Sequence, residues 1–476
     1  MINLKRITPQ TILLLIILTA FLVRLYKINT PLADWHSWRQ ADTSAVTRNF
    51  IKYGFDLLHP RFDDLSNIPS GKDNPQGYRF VEFPIYNALT AIKYQILPIF
   101  SIEVWGRLLS MFASLGSLIF LYLLTKKYLG EKTALFSAFF FAFLPYNIYY
   151  SRVILPEPSL IFTSLASIYF LDKWLEKSKF IFWIFAVIFS ASALLIKVTA
   201  IFLWPVLLYL LFKKYKIKMF IKPSVIFFIV ISFIPILLWR KWMLQYPEGI
   251  PAFDWLLNGG NIRFRPAFFR WILYERLTKL ILGYSLVPVL FVGFFYKIKK
   301  IPPLFLLWFI GLVFYVCVIA RGNVQHDYYQ TFLIPIICVF LGRGMSILLS
   351  TSIFKLNIKL LTISSTLLTL IAFYFSWQII HTYYWINNPK IVEAGIAVNK
   401  LTPIDSKIIA PYGGDTTFLY QTNRQGWPQG FEIEDKIKKG ANYYVNINVN
   451  DPETLYVMNK WKTVFKTNDY VIVKLN

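Results

Sequence analysis

Three observations predict an α-helical polytopic membrane protein that ends in a small α/β domain. Of 476 residues, 56% are hydrophobic and only 16% are charged, far more apolar than a soluble globular chain. The apolar residues gather into runs long enough to cross a hydrocarbon core of about 30 Å. From Trp385 onward the pattern changes to short alternating stretches separated by polar turns, the mark of strands and helices that fold in water.

In chain order the runs cover residues 9–26, 105–125, 133–150, 158–173, 180–196, 198–213, 223–240, 277–296, 301–320, 330–350 and 359–378, which makes eleven spans. Lys5 and Arg6 precede the first run, and no small-x-small cleavage site follows it, so it reads as a retained signal anchor. A further apolar stretch, 84–100, carries Lys93, Tyr94 and Gln95 and is bracketed by prolines. Parity decides its place. As a crossing it would put Lys126, Lys127 and Lys132 opposite Lys5 and Arg6. As an interfacial or re-entrant helix it leaves the N-terminus and the loops 125–132, 172–179, 213–222, 297–300 and 343–359 on one side. Those segments hold 19 Lys and Arg against Glu131, Asp172 and Glu176, so that side is read as cytoplasmic. The other 22 carboxylates and all four histidines (His36, His59, His326, His381) then face outward. Chemistry is expected outside.

The expected organisation is a membrane domain over 1–384, with a large extracytoplasmic loop at 27–104, and an extracytoplasmic α/β domain over 385–476. In the latter, Lys390–Leu401 reads as a helix and Lys407–Pro411, Tyr443–Val449 and Tyr470–Lys474 as strands, with turns at Gly413-Gly414 and Asn468-Asp469. The net charge of +25 lies in clusters such as Lys213, Lys214, Lys216, Lys218 and Lys222, between apolar runs. That distribution sets topology and argues against a nucleic-acid partner. Cys317 and Cys338 fall within spans, which excludes a disulfide framework and a cysteine-rich metal site.

Ionisable groups are costly at a membrane rim, and the outer turns are full of them. Ala33-Asp34-Trp35-His36-Ser37-Trp38-Arg39-Gln40-Ala41-Asp42-Thr43 follows the first span, and helical spacing puts Arg39, Asp42 and Thr43 on one face. The plainer reading is an aromatic belt of Trp35 and Trp38 trimmed by an Arg39–Asp42 ion pair. Glu82 precedes the interfacial helix, where a solvated helix-start acid is the plainer alternative. Arg152 and Glu157 occupy a turn too short to leave the membrane surface. Lys197 sits between two spans with almost no loop, which snorkelling would also accommodate. Arg321, His326, Asp327, Tyr328 and Tyr329 fill another outer turn, with His326 either a loop hydrogen-bonder or a metal ligand. Arg263, Arg265, Arg270 and Arg276 suit phosphate or lipid headgroups. Cations beside carboxylates can hold a phosphate leaving group while an acid takes a proton from an attacking hydroxyl.

Taken in order, Trp38-Arg39-Gln40-Ala41-Asp42-Thr43 with Arg48-Asn49-Phe50, Val81-Glu82-Phe83-Pro84, Pro156-Glu157-Pro158, the Lys197 turn and His326-Asp327-Tyr328-Tyr329 before Pro335 resemble the GT-C glycosyltransferases. The nearer likeness is to bacterial relatives of protein O-mannosyltransferases and of the aminoarabinose transferase of lipid A. The resemblance covers about the first 350 residues. It implies a polyprenyl-phosphate sugar donor within the membrane lipids, an inverting transfer to an extracytoplasmic hydroxyl, and no nucleotide. The absence of GxGxxG and of an Asp-x-Asp pair agrees with that. It further implies Asp42 as the base, with Glu82 a second acid, and Lys197 and Arg152 on the donor phosphate. His36, Arg39, Glu157, Arg321, His326, Tyr328 and Tyr329 are the expected substrate contacts. Relatives place an acidic pair before an arginine, whereas here Arg39 precedes Asp42, which keeps Asp34 as the alternative base. No organic cofactor is expected, and a divalent cation stays open. A lipid-linked sugar transporter or flippase is the competing class, but it would put ionisable groups and broken helices near the bilayer midplane.

Overall fold

A computed structural model describes residues 8–350 and 357–476. The basic residues Lys5, Arg6 and Lys355 of the topology argument lie outside the described residues. The chain divides into two compact units that do not follow its order: residues up to Tyr26 with Leu108–Trp239 and Phe253–Thr382 form one, and Lys27–Arg107 with Arg240–Ala252 and Tyr383–Asn476 form the other.

The helices of the first half are α1 (Pro9–Arg24), α2 (Ser37–Tyr53), α3 (Ile85–Ile96), α4 (Ile102–Leu129), α5 (Glu131–Phe143), α6 (Pro145–Tyr150), α7 (Glu157–Lys177), α8 (Phe180–Ile196), α9 (Trp204–Tyr215) and α10 (Pro223–Met243). Apolar helices Val287–Phe295, Pro303–Val318, Ile334–Leu348 and Ile358–Ile380 follow. Among the described residues, five helical stretches are long and apolar enough to cross a membrane, and α1, α8 and Pro303–Val318 are shorter apolar helices. Leu14, Leu15, Leu18 and Leu22 of α1 and Leu360, Ile363, Leu367 and Leu370 of the last span are exposed. Such apolar faces are stable only against lipid. The chain is an integral membrane protein.

Two expected spans are not single helices. The run 133–150 breaks at Leu144, whose extended backbone (φ −56°, ψ 121°) precedes Pro145, because a proline pushes the residue before it out of the helical region. The run 277–296 divides into a π-helical segment, Arg270–Ile281, and the helix Val287–Phe295. Between them Gly283 and Tyr284 both take positive φ. A Cβ on Gly283 would lie 1.9 Å from the Ala372 carbonyl, so the turn exists where the last span passes against bare backbone.

On the lysine-rich side, the three acids are paired: Glu131 with Lys126 at 2.5 Å, Asp172 with Lys127 at 2.6 Å and Glu176 with Lys127 at 3.1 Å. On the opposite side of the membrane unit, the buried Arg24 at the end of α1 donates to Ser151 Oγ at 2.6 Å and to the Ala142 carbonyl at 3.0 Å. It satisfies carbonyls that the Pro145 break leaves open.

The other unit is built on a five-stranded sheet, β1 (Lys407–Ile409), β2 (Gly426–Trp427), β3 (Ala441–Asn446), β4 (Lys462–Lys466) and β5 (Val471–Lys474), in the order β2-β1-β3-β5-β4. β1 runs parallel to β2 and β3, and β5 is antiparallel to both β3 and β4. Side chains alternate as a strand requires: Ile408, Tyr443, Val445 and Ile472 meet the helix Pro389–Leu401, and Ile409, Tyr444, Val471 and Val473 meet Val457 on the other face. The first loop belongs to this core, with Ala33 on one face and Leu65 on the other. Asp64 forms a parallel bridge to Gly426 beyond β2. The expected helix appears almost as read, while β1 and β3 stop short of Pro411 and Val449 and β5 begins at Val471. β2 and β4 carry no sequence signal. One is two residues long, and every residue of the other is exposed, so neither has an alternating face to display.

Candidate active site

α2 is a polar helix that is nevertheless buried along most of its length. Buried polar groups need partners, and those partners define the site. His36 takes a left-handed backbone (φ 53°) at its start, and Gly54 (φ 92°) ends it. Arg39 forms an ion pair with Glu82, and Asp42 Oδ2 pairs with Arg79 Nη2 at 2.8 Å. The expected Arg39–Asp42 pair is therefore replaced by two crossed pairs. Residues three apart on α2 meet residues three apart on the facing segment in antiparallel order. Asn87 of α3 donates to the Thr43 carbonyl at 2.6 Å and fastens the second side of α2.

The other oxygen of Asp42, Oδ1, accepts a hydrogen bond from Thr416 Oγ1 at 2.7 Å. Asp34 is fully buried, and its Oδ1 accepts from Gln40 Nε2 at 2.8 Å. The Glu82 side chain is 15% exposed against 5% for Asp42, so Glu82 is the acid that solvent reaches more readily. His36 lies edge-on to Trp35, which stacks on Tyr383 with ring centroids 4.8 Å apart.

Two further acids surround Asp42. Burial pushes the Asp64 carboxyl up to about 7, the Asp42 charge adding to the effect while hydrogen bonds from Ser66 and the Arg79 charge oppose it. Burial also raises Asp415, with Asp42 again contributing. Burial and the nearby Arg39 pull the Arg79 guanidinium down, while Asp42 holds it up.

The membrane unit assembles the second cluster. Glu157 opens α7, where the positive end of the helix favours a carboxylate. It forms an ion pair with Lys197, which stands in an extended gap (φ −153°, ψ 127°) after α8. The Lys197 ammonium lies 4.9 Å from the Tyr329 ring centroid and 5.8 Å from that of Tyr328, within cation–π range. His326 stacks on both tyrosines, at 5.4 and 6.0 Å, and lies edge-on to Trp255. Asp327 accepts from the Tyr150 hydroxyl at 2.5 Å and faces Arg276 Nη1 at 3.8 Å.

Of the residues expected at a site, Asp34, His36, Arg39, Asp42 and Glu82 lie together around α2, and Glu157, Lys197, His326, Tyr328 and Tyr329 lie together in the membrane unit. Arg152 is fully buried and donates to the Tyr26 carbonyl at 2.7 Å. Arg321 packs beside Gly259 and Gly260 and, with the Gln325 amide turned to accept, reaches its oxygen at 3.1 Å. Arg79, Asp64, Tyr150 and Thr416 were not singled out in the sequence. Arg79 is three residues before Glu82, the same spacing as Arg39 to Asp42, and that repetition was the available signal. Among the described residues, no three of His, Cys, Asp and Glu are placed to hold a metal ion.

Residues 84–239 match the family model described as dolichyl-phosphate-mannose-protein mannosyltransferase. That segment carries Arg152, Glu157 and Lys197. No curated protein matches the chain at a significant level. Among solved structures, ArnT from Cupriavidus metallidurans bound to undecaprenyl phosphate superposes with a TM-score of 0.68 at 12% identity, covering 97% of each chain. Its apo state gives 0.65 at 11% identity, again over 97% of both. The fold is GT-C. The oligosaccharyltransferase of Archaeoglobus fulgidus, in complex with Zn and sulfate, extends the likeness with a TM-score of 0.58 at 11% identity over 93% of this chain and 69% of that one.

Proposed function

We propose that this chain is an inverting glycosyltransferase that moves a sugar from a polyprenyl-phosphate donor to an acceptor hydroxyl on the extracytoplasmic side. Because a fold alone does not fix an activity, the observation that carries the reading is Lys197. A partly buried ammonium, held by Glu157 and roofed by two phenol faces, lies inside the segment that matches the mannosyltransferase model. The undecaprenyl phosphate bound by the structurally similar ArnT supports a lipid-phosphate donor.

In the reaction the bond between the sugar C1 and the phosphate oxygen breaks, and a bond from C1 to the acceptor oxygen forms on the opposite face. The acceptor proton goes to Asp42, and the lipid phosphate leaves with a second negative charge. Lys197 gains most from that second charge, so its attraction favours the transition state over the bound donor. Asp42 is held by Arg79 and Thr416 and can accept a proton through the lone pairs its two partners leave open. Tyr328 and Tyr329 offer flat faces to a sugar ring.

A divalent cation fits this donor set poorly, since Asp42 and Glu82 already face guanidinium groups; no step is assigned to one. The lysine-rich side is proposed to be cytoplasmic, together with the N-terminus, and the α/β domain from residue 385 extracytoplasmic. The distribution of Lys and Arg supports that orientation.

The test is to incubate the purified protein with a panel of labelled polyprenyl-phosphate sugars and follow loss of the lipid-linked label. Asp42→Asn is expected to abolish transfer, a fall of about a hundredfold or more, while donor binding is retained. Turnover that survives in Asp42→Asn moves the base to Asp34 or Glu82, and a panel with no turned-over donor overturns the reading.

A further inference from the structure

We propose that Thr416 is a positioning residue for Asp42, so that the C-terminal part of the chain supplies one of the two contacts that set the orientation of the base. The inference rests on the reading of Asp42 as the base and goes beyond it.

A hydroxyl has one proton to give. Thr416 Oγ1 has two acceptors in reach, Asp42 Oδ1 at 2.7 Å and the Trp38 carbonyl at 3.4 Å, and the shorter contact is to the charged oxygen, the stronger partner. The hydroxyl is also diverted from its ordinary local task. Thr416 stands at the N-cap of the short helix Thr417–Gln421, where a threonine side chain normally accepts from the backbone, yet it makes no capping bond there.

The carboxylate is thereby gripped at both ends by groups from different parts of the chain, Oδ2 by Arg79 and Oδ1 by Thr416. One contact would leave the group free to turn about its terminal torsion, which is soft for an aspartate. Two fix its plane and leave its remaining lone pairs in set directions.

The loop that presents Thr416 is itself tied down. Gly413 and Gly414 take positive φ (62° and 84°), Asp415 Oδ1 accepts from the Thr417 amide at 2.8 Å, and Thr417 Oγ1 donates to Ser37 Oγ at 3.0 Å. The loop therefore meets the first turns of α2 at two points. Positioning of a reacting group within a fraction of an ångström is worth large factors in rate.

The test compares Thr416→Val, Thr416→Ala, Thr416→Ser and Asp42→Asn in the full chain, each checked for monodispersity and for donor binding before turnover is measured. Thr416→Val and Thr416→Ala are expected to lower kcat about tenfold or more while the donor KM stays within about twofold, and Thr416→Ser to stay near the parent rate. Wild-type kcat in Thr416→Val beside an inert Asp42→Asn overturns this inference and leaves the base in place. An active Asp42→Asn overturns both. Loss of folded protein or of donor binding in both hydroxyl-free variants, or an equal fall in Thr416→Ser, assigns Thr416 a structural role and overturns the inference.

Discussion

Arg39 with Glu82 and Asp42 with Arg79 form a register lock, in which a slip of one residue would leave buried charges without their partners. A buried ion is expensive without its partner, so the crossed pairs select one alignment of α2 against the segment before α3. Asp64 makes a titration experiment possible at the same place. An aspartate titrates near 4 in an unfolded chain and near 7 here, so between those values the folded protein keeps a proton that the unfolded chain releases. The associated stability is complete below the lower value and is lost as pH rises through the upper one, at a slope of no more than about 1.4 kcal/mol per pH unit. Asp64→Asn, which keeps an acceptor for the Ser66 amide but carries no charge, is expected to exceed the parent in apparent Tm by a margin that is smallest near pH 4 and largest near pH 8. Parallel curves would refute the assignment. Asp42, Glu82 and Lys197 were legible from the sequence because charged residues beside spans attract attention. Their partners were not: Arg79, Asp64 and Thr416 look like ordinary loop residues until the chain folds back on itself.

At the scale of elements, α3 reverses the usual amphipathic pattern. Asn87, Thr90 and Ala91 are buried, and Leu89, Ile92 and Ile96 are exposed, as suits a helix lying at a membrane interface with its apolar face toward lipid. The helices Val287–Phe295 and Ile334–Leu348 pack through glycine on both sides. A Cβ on Gly293 would lie 1.8 Å from the Phe340 carbonyl, and one on Gly344 would lie 2.0 Å from that of Val289. Small residues let backbones of membrane helices touch. Gly344→Leu is therefore expected to destabilise the membrane unit by about 1–3 kcal/mol or more, read as a smaller monodisperse fraction after extraction. A truncation of an exposed residue such as Leu367→Ala, on the lipid-facing side of the last span, should leave that fraction unchanged. Apolar run length located the spans. It could not reveal the breaks at Leu144 and Gly283, since one depends on proline sterics and the other on a neighbouring helix far away in sequence.

For the whole molecule, the orientation proposed from lysine distribution is open to direct measurement. With Cys317 and Cys338 replaced, a cysteine at the exposed Ile404 should react with a membrane-impermeant maleimide in intact cells, and one at the exposed Ile217 only after permeabilisation. The reverse labelling would invert the topology and remove the outer location of the site. Composition alone announced a membrane protein with a polar tail. What it left hidden was that the tail and the first loop share one core, because Ala33 and Leu65 contact residues that no local pattern connects to them.

That shared core sets a clock on biosynthesis. Thr416 and Asp42 are 374 residues apart, so at a synthesis rate of roughly 5–20 residues per second the first long loop waits roughly 20–75 seconds for its partner. During that interval Ala33 and Leu65 have no sheet to cover them, and Asp42 has only one of its two anchors. A chain that stalls before these strands can insert every span and still display an unfinished loop, a target for proteases and chaperones. The second anchor of Asp42 comes only once the loop that carries Thr416 has been made, so this contact is among the later ones the nascent protein acquires.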